Sequence, residues 1–88
     1  MLKLVTLGRF DRELKKIKKR GKDTDKLKEV IKLLLEEKPL AVKYRPHKLH
    51  GEYIGYWECH IQPDWLLIYK TTKTELILFA TGTHSDLF

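Results

Sequence analysis

The sequence predicts an α+β domain of order β-α-α-β-β-β, with two helices packed on one face of a small, largely antiparallel four-stranded sheet. Three observations lead there. Two segments with apolar residues at helical spacing follow one another between residues 9 and 37. Three segments of β-type pattern, separated by short polar turns, fill residues 56–80. A short alternating segment precedes the helices. A chain of 88 residues supports one hydrophobic core, so residues 1–88 are expected to form a single domain.

Leu2-Lys3-Leu4-Val5-Thr6 alternates apolar and polar side chains and reads as the first strand, ended by Gly8. From Arg9 to Arg20 the residues Phe10, Leu14 and Ile17 form one narrow apolar stripe on a charged helix, and Gly21 is a natural stop. Asp23-Thr24-Asp25 can cap a second helix running to about Glu37. Its apolar face of Leu27, Val30, Ile31, Leu34 and Leu35 is wider, so this helix is expected to lie deeper on the sheet. Pro39 prevents its continuation.

Residues 40–55 read as a loop carrying Tyr44, Arg45, His47, Lys48 and His50. The segment Tyr56–Ile61 alternates, with Trp57, Cys59 and Ile61 on a core face and Tyr56, Glu58 and His60 on the other. Gln62-Pro63-Asp64 turns the chain into Trp65–Lys70, which is apolar at nearly every position and therefore reads as a central strand covered on both faces. Thr72-Lys73-Thr74 turns it again into a last strand, Glu75–Ala80, which Gly82 is expected to interrupt. Helices on one face leave the other free to carry polar side chains such as His60.

The formal charge of +6 favours a polyanionic partner. Lys15, Lys16, Lys18, Lys19, Arg20 and Lys22 crowd the first helix, where they either grip phosphates or solvate an exposed face. A DNA-reading helix pair is disfavoured, because the broad apolar face of the second helix leaves few residues for base edges. The single cysteine allows no internal disulfide. With no signal peptide or long apolar run, this points to the cytoplasm and to no membrane partner.

The main chemical signal is His47, His50, His60 and His84 together with Asp64. An imidazole with an ordinary pKa near ~6.5 accepts or donates a proton at neutral pH. Two of them flanking a phosphodiester can remove the ribose 2′-hydroxyl proton and protonate the departing 5′-oxygen. The same side chains are potential metal ligands, but their spacing matches no structural zinc pattern, so no metal or other cofactor is expected. Trp65, Tyr56 and Phe88 are candidates for stacking unpaired bases. No phosphate-cradling glycine loop and no nucleophile elbow is present.

Tyr44-Arg45-Pro46-His47-Lys48-Leu49-His50-Gly51, then His60-Ile61-Gln62-Pro63-Asp64-Trp65-Leu66-Leu67-Ile68-Tyr69-Lys70, and finally Thr81-Gly82-Thr83-His84-Ser85-Asp86-Leu87-Phe88 resemble the YafQ branch of the RelE superfamily of bacterial toxins. The similarity covers nearly the whole chain. It implies the RelE-like microbial ribonuclease fold. The activity it implies is metal-independent mRNA cleavage in the ribosomal A site by 2′-hydroxyl attack, with contacts to ribosomal RNA and neutralisation by a cognate antitoxin. Such an antitoxin is expected to be acidic and partly disordered when free.

Carried over by motif, the family's functional set falls on His47, His60, Asp64, Trp65, His84 and Phe88. The resemblance implies His84 as general acid and His47 or His60 as base. Asp64 would orient a histidine or share the proton transfer, and Trp65 and Phe88 would place the nucleotide. One residue departs from the pattern: Ala80 stands where the family has an arginine, which removes a phosphate-stabilising cation and leaves Arg45 or Lys48 to supply it. That departure keeps a second reading open, a catalytically weak or silent binding protein of the same fold whose partners are an antitoxin or ribosomal RNA.

Overall fold

The computed structural model of the chain describes residues 1–88. Strand β1 (Lys3–Thr6) leads into helices α1 (Gly8–Lys19) and α2 (Thr24–Leu35). Two single 3-10 turns, Val42–Tyr44 and Gly51–Tyr53, then flank a two-residue strand β2 (His47–Lys48). Strands β3 (Trp57–Gln62), β4 (Trp65–Thr71) and β5 (Glu75–Gly82) follow as successive hairpins, and a helical turn α3 (His84–Leu87) comes last.

The α+β class and the paired helices agree with the sequence reading. The sheet, however, has five strands rather than four, in the order β1-β5-β4-β3-β2. The additional strand is β2, whose two residues pair antiparallel with Glu58 and Trp57. A two-residue strand is too short to show alternation, so the sequence carries no periodic signal for it. β1 runs parallel to β5 and every other pairing is antiparallel.

β4 is the central strand, and Leu66, Leu67 and Ile68 are fully buried. Burying each such side chain stabilises the fold by about 1.5–3 kcal/mol. Leu67 faces the helices in a core with Phe10, Ile17, Leu27, Val30, Cys59 and Trp65. Leu66 and Ile68 face the other way and pack with Ala80 and Leu87. The two helices lie equally deep, contrary to expectation: Phe10 and Ile17 of α1 are 2% and 1% exposed, against 2% and 0% for Leu27 and Val30 of α2. Stripe width sets how many residues are buried, not how deeply.

The predicted helix ends form as their residues dictate. Gly21 takes a left-handed φ of 80°, its N–H donates to the Lys18 carbonyl, and the Lys22 N–H donates to that of Ile17. The Asp23 carboxylate caps α2 by accepting the Asp25 N–H at 2.9 Å. Gly82 does not interrupt β5. The irregularity falls earlier, where Ile68 pairs with Ala80 but Tyr69 pairs with Leu78, leaving Phe79 as the extra residue of a bulge. The bulge turns Ala80 and Gly82 onto the sheet face away from the helices.

Candidate active site

Side chains alternate along a strand, so Glu58 and His60 share one face of β3, and pairing with β2 sets His47 beside Glu58. This is the face turned away from α1 and α2. Glu58 is buried, 5% exposed, with its Oε1 at 3.2 Å from His47 Nε2 and 3.9 Å from His60 Nε2. The opposite ring nitrogens face backbone carbonyls: His47 Nδ1 lies 2.9 Å from the Arg45 oxygen and His60 Nδ1 lies 3.3 Å from the Pro63 oxygen. A carbonyl only accepts, so Nδ1–H donates in both rings and Nε2 is the atom left toward the carboxylate.

His84 arrives from α3, and its position is built by its neighbours. Thr83 and Asp86 form a reciprocal cap: the Thr83 hydroxyl accepts the Asp86 N–H at 3.2 Å, and the Asp86 carboxylate accepts the Thr83 N–H at 2.9 Å. A Cβ on residue 82 would sit 2.9 Å from that of Asp86, so only glycine allows the fold-back. Arg20, at the C-terminal end of α1, grips the same carboxylate with bonds of 2.7 and 3.2 Å. This guanidinium holds the Asp86 carboxyl well below the usual carboxylate range.

Asp64, in the β3–β4 turn, accepts both the Nδ1–H of His84 at 2.8 Å and its backbone N–H at 3.1 Å. Those two bonds lower the Asp64 carboxyl below its ordinary value. The His84 side chain is 56% exposed, with Nε2 free of the carboxylate. Its ring centre lies 5.8 Å from that of His60, which lies 6.4 Å from that of His47. The result is one strip: His47, Glu58, His60, His84, Asp64. Glu58 sits between the first two imidazoles, and Asp64 closes the end beyond His84.

The four residues assigned to proton transfer from sequence are thus neighbours. His50 is outside the ring contacts, which join only His47, His60 and His84. Phe88 is 61% exposed and meets the edge of Tyr53 at 5.8 Å, making an aromatic pair beside α3. Arg45 lines a recess shared with His60.

Two assignments are corrected. Trp65 offers no face to a nucleotide, because it is fully buried in the helix-facing core and its indole N–H donates to the Thr81 hydroxyl at 2.9 Å. Lys48 pairs with Trp57 and holds its ammonium 5.6 Å from that ring, which packs toward the helices, so alternation turns it away from His47. Ala80 is fully buried among Leu66, Ile68 and Leu87, so that position fills apolar space here.

The sequence reading passed over Glu58 and Tyr53. Glu58 was legible as a carboxylate on the His60 face of an alternating strand, but its burial required β2. Cys59 takes no part: burial pushes its thiol up to about 12, which keeps it protonated.

A family model described as the bacterial toxin of type II toxin-antitoxin systems, YafQ, matches residues 2–88. The chain belongs to the YafQ family. Its relative in Escherichia coli K12, the mRNA interferase toxin YafQ, is 43% identical over 82 residues, which is 92% of this chain and 89% of that protein. The fold superposes on YafQ of the E. coli DinJ–YafQ complex with a TM-score of 0.93 at 39% identity, covering 100% of this chain and 99% of that one. It superposes on a metal-bound toxin from Helicobacter pylori with a TM-score of 0.94 at 42% identity, covering both chains fully. In the present YafQ-family chain no group of three or more His, Cys, Asp or Glu side chains is arranged to hold a metal ion.

Proposed function

We propose that this YafQ-family chain is a ribosome-dependent endoribonuclease that cuts mRNA in the A site through its histidine strip and is silenced by a cognate antitoxin. The observation that carries the reading is the continuous contact of three imidazoles, with the outermost, His84, held at Nδ1 by Asp64. An imidazole oriented through Nδ1 with Nε2 open can deliver a proton from Nε2 once the ring is protonated, as a general acid must.

In the proposed reaction His60 or His47 removes the 2′-hydroxyl proton. The 2′-oxygen bonds to phosphorus as the bond to the 5′-oxygen breaks, and His84 delivers its proton to that leaving oxygen. The products are a 2′,3′-cyclic phosphate and a 5′-hydroxyl. Asp64 keeps His84 aligned, Glu58 lies between the two rings beside it, and Arg45 supplies charge to the phosphate. Phe88, backed by Tyr53, stacks on a base. No step needs a metal.

The E. coli relative's activity as an mRNA interferase and its complex with DinJ support the same substrate class and an antitoxin partner for this chain. A formal charge of +6 favours an acidic antitoxin, and the exposed Lys15, Lys16, Lys18 and Lys19 of α1 suit ribosomal RNA. Action on ribosomes implies the cytoplasm. No helix is long and apolar enough to cross a membrane.

Primer-extension mapping of mRNA programmed into ribosomes, beside the same RNA free in buffer and with chelator in both, tests this. A sharp cut in the A-site codon on ribosomes alone supports it. The buried, uncharged Ala80 favours the second reading, a silent binding module. Folded protein that binds ribosomes and cuts nothing would establish that instead.

A further inference from the structure

β2 covers only Trp57 and Glu58 of β3, so it leaves the rest of that edge without a strand partner. An open cleft of about 480 Å³ lies there, between α2, the Val42–Tyr44 turn and the β3–β4 hairpin. Lys26, Lys43 and Arg45 line it together with Glu29, Gln62 and His60. Three cations thus face one carboxylate in a recess that shares a wall with the histidine strip.

The cations are presented by fixed elements. Lys26 stands on the first turn of α2, and Lys43 holds its ammonium 5.0 Å above the ring of buried Tyr44. Arg45 adopts a left-handed φ of 46°, uncommon for a non-glycine residue. Its carbonyl anchors the His47 ring at 2.9 Å while its side chain lines the cleft. The same residue therefore joins the strip to the recess. His60 does so too, lining the cleft while its ring meets that of His84.

We propose that this cleft is an RNA phosphodiester subsite, which holds the strand flanking the scissile phosphate on the His60 side. Lysine and arginine recognise phosphate through charge and multiple N–H donors, and Glu29 and Gln62 add acceptors for a ribose hydroxyl or a base edge. The proposal rests on the ribonuclease reading and names a contact surface for its substrate. The phosphodiester belongs to the message or to the surrounding ribosomal RNA; the chemistry is shared.

The test compares K26Q/K43Q with K3Q/K73Q, which removes the same charge from β1 and the β4–β5 turn, away from the cleft. Binding is measured against salt for two probes, a labelled 2′-O-methyl RNA oligonucleotide that cannot be cut and ribosomes carrying no message. Circular dichroism melts confirm that both variants fold. The cleft variant is expected to bind more weakly, with the slope of log affinity on log salt reduced by about 0.7 per lysine, and the control to behave as wild type. Loss on the oligonucleotide assigns the phosphodiester to the message, and loss on ribosomes alone assigns it to ribosomal RNA.

Equal behaviour of cleft and control variants, whether both weakened or both unchanged, overturns the subsite. If wild type cuts programmed ribosomes and the cleft variant binds as wild type does, the subsite alone fails. If wild type cuts nothing while the cleft variant still loses RNA affinity, the ribonuclease reading fails and the subsite stands.

Discussion

Asp64 accepts two hydrogen bonds from His84, one from the ring at 2.8 Å and one from the backbone at 3.1 Å, so a single carboxylate fixes both where the residue sits and which way its ring points. The imidazole then has one nitrogen, Nε2, free of the carboxylate. His84→Ala should lower cleavage of ribosome-bound mRNA by about 10²–10⁴-fold, the range for a lost general acid or base. Asp64→Asn keeps an acceptor but loses the charge, so its loss should be smaller. Single-turnover rates give the ranking, with circular dichroism to show intact folding; equal rates for His84→Ala and wild type would remove the assignment.

Glu58 is the strip's buried carboxylate, within 3.2 Å of one histidine and 3.9 Å of another. Glu58→Gln preserves volume and an acceptor while removing the charge between the rings. Cleavage should fall about tenfold or more, below the 10²–10⁴-fold of a removed proton carrier. Chemical denaturation of the same variant separates this from simple unfolding. Full activity in Glu58→Gln would make the residue a packing element only.

Trp65 and Phe88 should respond in opposite ways. Trp65→Phe deletes a buried hydrogen bond to Thr81 and should cost about 1–3 kcal/mol of stability, read as a lower urea midpoint. Phe88→Ala removes an exposed ring, so it should leave that midpoint unchanged and weaken RNA binding by about 1–3 kcal/mol. A stable Trp65→Phe protein with lost RNA affinity would place the Trp65 side chain in the RNA contact.

The Arg20–Asp86 pair ties α1 to the turn that carries His84. Its guanidinium depresses the Asp86 carboxyl, so the stability the pair contributes is fully present above the unfolded value near ~3.9 and is lost as pH falls through the lower folded value. The difference in melting temperature between wild type and Asp86→Asn should therefore stay constant from neutrality down to about pH 4 and shrink below it. A difference that grows on acidification would contradict the pairing. In the cleavage assay Arg20→Gln should lower the maximal rate more than half-saturation, with Arg20→Lys restoring part of it.

Much of this was legible in the residues because strand alternation and helical spacing report local geometry. The all-apolar β4, the caps at Gly21 and Asp23, and the polar outer face bearing His60 all follow from side-chain order. The sequence alone left β2 and the burial of Glu58 unseen, since both arise when a loop docks on β3. Trp65 and Lys48 were misassigned for the same reason: a motif fixes neighbours along the chain, while the face each side chain takes depends on register. The bulge at Phe79 decides that Ala80 and Gly82 face the strip side, and no local signal marks it.

The central claim is that the strip cuts RNA by activating the ribose 2′-hydroxyl. The most direct measurement places a single 2′-deoxynucleotide on the 5′ side of the scissile phosphate in a message programmed into ribosomes, with the all-ribose message in parallel. The all-ribose message should be cut by wild type and the substituted one should stay intact, with neither cut by His84→Ala. Equal cutting of the two messages would mean that the 2′-hydroxyl is not the nucleophile.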